Sequence, residues 1–192
     1  MMETFNDIPV MSFEDSRAWE TWLKANYDLQ TGIWMKVARK DSGIASVSLT
    51  DALDICLCYG WIDGQRRSYD NLFFLQKYTP RRKKSLWSKV NIEKVATLIA
   101  AGRMQEPGQN AIDAAKKDGR WDAAYESQKN ATVPPDLETA LDKNLDAKEF
   151  FASLTRAERY SVLWRLMTAK SPEMRQQRLE KMVDLLKSGT KI

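Results

Sequence analysis

Histidine is absent from the 192 residues. That removes Ser-His and Cys-His nucleophile arrangements, zinc sites built on imidazole, and the side chain that ordinarily titrates near neutral pH. Any chemistry done by this chain must rest on carboxylates, Lys, Arg, Tyr or Ser. Cysteine is nearly absent: Cys56 and Cys58, in DICLCYGW, are the two. On a helix, positions i and i+2 point to different sides and neither bridge nor chelate together. They read as small buried hydrophobes, and two free thiols fit a reducing compartment. No run approaches 18 consecutive apolar residues, so no membrane insertion is expected. The opening MMETFNDIPVMSF has acids and no basic stretch ahead of an apolar one, so it does not read as a secretory signal and a cytoplasmic location is expected. P-loop, G-x-G-x-x-G, C-x-x-C and H-E-x-x-H patterns are also missing, so neither a cofactor nor a metal is expected.

What is present is an ordinary globular composition, 43% apolar and 29% charged, with a net charge of +4. The charge is concentrated. Residues 60–89 carry eight cations against Asp63 and Asp70, a net of +6, so the rest of the chain is net −2. A local excess of one sign points to an anionic partner rather than to mere solubility.

The pattern of apolar residues predicts an α+β fold: a small antiparallel sheet of about three strands packed with helices, then an all-helical C-terminal subdomain. A first helix is expected over 13–26, capped by Ser12 with Asp15, with Trp19, Trp22 and Leu23 inward. Ile33, Met35 and Val37 alternate as a strand. Ser48 with Asp51 opens a helix that is apolar nearly all round, and Gly60 closes it. Runs 61–67 and 72–79 then form a hairpin, with Gly64 marking a bulge. Helices follow from a cap at Asn91, with Ile92, Val95, Ala96 and Ile99 inward, and from Pro107. The segment around Pro134-Pro135 reads as a linker. Later helices start at Asp136, at Asp146, at Thr155 with Glu158, and at Ser171. The third of these would bury Ala157, Tyr160, Trp164 and Met167, and the last Leu179, Met182, Val183 and Leu186. The expected subdomains are 1–105 and 106–192.

The stretch YTPRRKKSLWSK, residues 78–89, joins a strand to the helix expected at Asn91. Helix-start N–H groups and the positive end of the dipole would face the same region as Arg81, Arg82, Ser85, Ser88 and Lys89. Arg66 and Arg67 join them if the hairpin register allows, offering forked donors to a phosphate or carboxylate. Trp61 and Trp87 would supply stacking faces. Asp63 either orients an arginine or acts as a general base, and cations beside it would favour its charged form. The competing view is a solvated loop whose Arg stems cover apolar surface. The four cations Arg81–Lys84 also suit a nucleic acid.

The stretch CYGWIDGQRRSYDNLFFLQKYTPRRKKSLWSKVNIEKVATLIAAGRM, with DGRWDAAYE and VPPDLETAL after it, resembles the YdeI/OmpD-associated family of bacteriocin-protection proteins across nearly the whole chain. GWIDGQRR, TPRR and WSK are the specific part, and AKSPEMRQQRLEKMVDLL is similar to that family's closing helices. The resemblance implies a role in tolerance to bacteriocins or envelope stress, with only an indirect link to a porin. It implies no reaction and no cofactor. It does imply that the hairpin and the basic loop belong together. The expected function is therefore a cytoplasmic stress-tolerance protein that binds an anionic small molecule. The alternatives are an enzyme using Asp63 with the arginines, a salt-sensitive nucleic-acid binder, and a protein partner docking on the C-terminal helices.

Overall fold

The computed structural model describes residues 3–191. Among these are five strands and eight helices, in an α+β arrangement. Contacts divide the chain into two units. One comprises Met1–Leu86 with Asn91–Asp122, the other Trp87–Val90 with Ala123–Ile192. The sequence had placed the boundary at 106.

In the first unit, β1 (Thr4–Phe5), β2 (Ile8–Ser12), β3 (Ile33–Ala38), β4 (Trp61–Ser68) and β5 (Phe73–Pro80) form one mixed sheet in the order β1-β2-β3-β5-β4. The sequence had suggested about three antiparallel strands. The two extra strands are a hairpin turned at Asn6 and Asp7, both with positive φ (51° and 60°). That is the backbone a two-residue primed turn requires, and Asn and Asp tolerate it best among side-chain-bearing residues. β2 pairs parallel with β3 and the other three pairs are antiparallel.

Helix α1 (Ser16–Asn26) links β2 to β3 and begins later than expected. Ser12 ends β2, and the cap is Asp15, whose carboxylate accepts from the Ala18 N–H at 2.8 Å. Helix α2 (Leu49–Cys58) is capped by Ser48, as the sequence implied. Trp19 and Leu23 of α1 pack with Ala52, Ile55 and Cys56 of α2, all at most 1% exposed. The Trp19 Nε1–H donates to Ala52 O at 3.2 Å, and its ring lies 5.7 Å from that of Tyr78. Trp22 stacks on Trp19 at 5.5 Å and is only half-buried. On the other face of the sheet, Val10, Trp34 and Leu75 cluster with Phe5 and Ile8.

Two glycines set the corner where α2 hands over to β4. Helix α4 (Glu106–Lys117) follows α3 (Lys89–Ala100). Gly108 of α4 lies so close to the end of α2 that a Cβ there would sit 2.2 Å from Cys58 O. Gly60, at φ +73°, faces Pro107 O in the same way, at 2.7 Å. Helix α3 starts at Lys89 rather than after Asn91, and buries Val95 and Leu98 while Ile99 is exposed.

The second unit contains α5 (Pro135–Asp142), α6 (Leu145–Ser153), α7 (Arg156–Met167) and α8 (Pro172–Lys187). Thr155 and Glu158 form the reciprocal capping box read from the sequence. Leu179, Met182, Val183 and Leu186 of α8 are all buried. Helix α7 presents a different face from the one expected: Val162, Leu163 and Leu166 go inward and Trp164 is exposed. Asp136 receives Nε and Nη2 of Arg175 at 2.7 and 2.9 Å, tying α8 to the first turn of α5. Trp87–Val90 join this unit through backbone bonds between Lys89 N–H and Tyr125 O and between Tyr125 N–H and Trp87 O, both 3.0 Å. Among the described residues no helix is long and apolar enough to cross a membrane.

Candidate functional site

The hairpin register decides what the arginines can do. Asp63 pairs with Tyr78 and Arg66 with Gln76, so Gly64 and Gln65 together oppose the single residue Lys77. This is the bulge that Gly64 signalled. Residues 63 and 66 are an odd number apart and would face opposite ways on a regular strand. The bulge shifts the phase and puts Asp63 and Arg66 on one face, with Phe74, Gln76 and Tyr78. Arg67, paired with Leu75, is on the other face. The two arginines therefore do not converge on one small ligand.

Gln76 holds the bulge. It is 3% exposed, and its Nε2 donates to Gly64 O at 2.9 Å and Gln65 O at 3.4 Å. Its Oε1 accepts from the Arg66 Nε–H at 3.0 Å. The Arg66 guanidinium lies 4.9 Å above the Phe74 ring. One buried amide thus shapes the strand and aims an exposed cation. Sequence reasoning missed Gln76, although a lone polar residue in core phase along FFLQKY is a usable signal.

Asp63 departs from expectation. Its carboxyl is raised above the ordinary value because protein crowding outweighs its own backbone N–H and the pull of Arg81 and Arg66. The two cations act in the direction expected, but desolvation wins. The residue as a whole is exposed. Behind it, burial pushes Cys56 and Tyr78 well up and Cys58 up to about 11, so none of these is an ionised nucleophile near neutral pH.

The basic loop is a tight turn. The Arg82 N–H donates to Ser85 Oγ, and the Ser85 N–H returns to Arg82 O, both at 2.9 Å. Arg120 Nη1 fastens the turn by donating to Ser85 O at 2.9 Å. Ser85 is therefore a turn-former. Arg81 is turned inward: its N–H bonds Gly60 O at 2.9 Å and its Nη1 bonds Leu86 O at 3.1 Å. The turn leaves Arg82, Lys83 and Lys84 exposed.

The expected stacking faces are core residues. Trp61 is fully buried, with Nε1 donating to Tyr27 O at 2.6 Å, and Trp87 is 1% exposed. Ser88 is 9% exposed and paired with Tyr125 in the second unit. Lys89 of that unit faces Glu126 at 3.3 Å. Arg66, Arg67, Arg82, Lys83 and Lys84 remain as exposed cations, and among the described residues no carboxylate forms an ion pair with any of them.

These features define an α+β unit with a cationic hairpin and turn, carried in one chain with a helical unit. The chain belongs to the family described as domain of unknown function (DUF8412), whose model matches residues 11–111. A second family model, described as bacteriocin-protection, YdeI or OmpD-associated, matches residues 130–189. The YdeI/OmpD-associated resemblance therefore holds over the C-terminal helices. GWIDGQRR, TPRR and WSK, expected to be its most specific part, lie within the first match instead. No curated protein and no solved structure matches the chain.

Proposed function

We propose that this is a cytoplasmic bacteriocin-protection protein that works as a binding module, holding an extended polyanion such as a nucleic-acid strand on its cationic hairpin and turn. The observation that carries the proposal is the hydrogen-bonded turn with Arg82, Lys83 and Lys84 exposed and, among the described residues, without a carboxylate partner. Arg66 stands opposite Gln76, four residues before the strand ends at Pro80. At ~3.4 Å per residue that is about 14 Å from the strand end, before the turn begins. A single phosphate does not span this distance, whereas a strand with repeated phosphates does.

The test is a titration of a labelled single-stranded oligonucleotide and of inorganic polyphosphate against the chain and an Arg82→Gln, Lys83→Gln, Lys84→Gln variant. The proposal expects binding to both polymers, lost or strongly weakened in the variant. Equal affinity for orthophosphate would sink it and restore the small-anion expectation.

A further inference from the structure

We infer that the second unit carries a separate site for a small anionic amphiphile, a molecule with one carboxylate-like head and a short apolar tail, in a groove between the 128–133 segment and helices α6 and α7. The groove encloses about 380 Å³. That lies within the range of roughly 300–1,000 Å³ typical of small-ligand sites. Its floor is apolar: Phe151 and Leu163 belong to the unit's core yet line the groove, and Val133, 40% exposed, forms a lip. Tyr160 makes a fixed wall, because its hydroxyl donates to Glu126 O at 2.8 Å.

The rim has one sign of charge. Lys129, Arg156 and Arg159 line the groove, and among the described residues no carboxylate does. The guanidinium groups are oriented without being neutralised. Arg156 Nη2 donates to Lys129 O at 2.9 Å, and Arg159 donates to Leu154 O and Ala152 O at 2.9 and 3.0 Å. A backbone carbonyl fixes a guanidinium's direction and leaves its charge in place. Two acids close by in sequence have their own cations, Glu126 with Lys89 at 3.3 Å and Glu158 with Lys191 at 2.8 Å. A cationic rim over an apolar floor selects a ligand with an anionic head and an apolar body, and disfavours neutral and cationic isosteres. The site shares no residue with the hairpin and turn, so it stands or falls independently of the polyanion proposal.

Decanoate, titrated below its micelle-forming concentration into the full chain, is the probe, with decanol and decylammonium as isosteres. The expected result is saturable one-to-one binding that perturbs the Lys129, Phe151 and Tyr160 signals, with both isosteres weaker by about tenfold or more. Lys129→Glu should weaken decanoate binding by a similar factor. Val133→Glu, at an exposed position that leaves the fold intact by circular dichroism, should abolish it. Absence of saturable binding, equal affinity for decanol, or unchanged binding in both variants each overturns the inference.

Discussion

Replacing Gln76 by Leu removes the hydrogen bonds that hold the β4 bulge while keeping a side chain of similar volume. The amide makes two short bonds, to Gly64 O at 2.9 Å and from Arg66 Nε at 3.0 Å, besides a longer one to Gln65 O. Each such bond contributes about 1 kcal/mol net, giving about 2 kcal/mol in all. The gain from burying Leu offsets part of this, and the exposed carbonyls of Gly64 and Gln65 recover water. The expected loss is therefore about 1–2 kcal/mol, read as a lower urea midpoint at unchanged slope. The structure also predicts coupling. Because Arg66 is one of the amide's partners, a cycle with Arg66→Ala should yield an interaction energy of about 0.5–1 kcal/mol. If Gln76→Leu is neutral or stabilising, or if the cycle closes to zero, the amide does not organise the bulge and the reasoning fails.

Asp63→Asn should stabilise the protein at pH 7. The folded carboxyl is raised above its ordinary value near 3.8, so its ionised form is disfavoured by folding, and the gain from removing it should fade as pH falls through the raised folded value and be gone below 3.8. A variant less stable at pH 7 contradicts this. Gly108→Ala places a Cβ 2.2 Å from Cys58 O, a backbone atom that cannot yield cheaply. Overpacking of about 1–3 kcal/mol should outweigh the helix-propensity gain of about 1 kcal/mol, lowering the melting temperature. Thr155→Ala removes the capping box of α7 and should cost about 1 kcal/mol in denaturant titrations, with Thr155→Ser close to neutral.

Several elements were legible because local chemistry determined them. Ser48, Thr155 and Ser171 announced helix starts, Gly60 a helix end, and Gly64 a bulge. The β1–β2 hairpin escaped because β1 has two residues, too few to show an alternation, and only the Asn6-Asp7 pair betrays the turn. Helix α7 offers two apolar faces, and which one is buried depends on partners distant in sequence. For α3, two residues that cap well, Ser88 and Asn91, lie three apart, and pairing of the 87–89 segment with Tyr125 is a long-range event. At the candidate site, the charge excess was visible in composition. The opposite facing of Arg66 and Arg67 follows from the strand period. The burial of Trp61 and Trp87 was not visible, because a tryptophan beside cations reads alike whether it stacks or packs.

The central claim is that Arg82, Lys83 and Lys84, with Arg66, contact an extended polyanion. The salt dependence of oligonucleotide binding tests it most directly. Four phosphate contacts to a single strand predict that log K falls with log salt with a slope of about −3, dropping to about −1 when the three turn cations are replaced by Gln. A slope near zero, or a slope the triple variant leaves unchanged, would contradict the account.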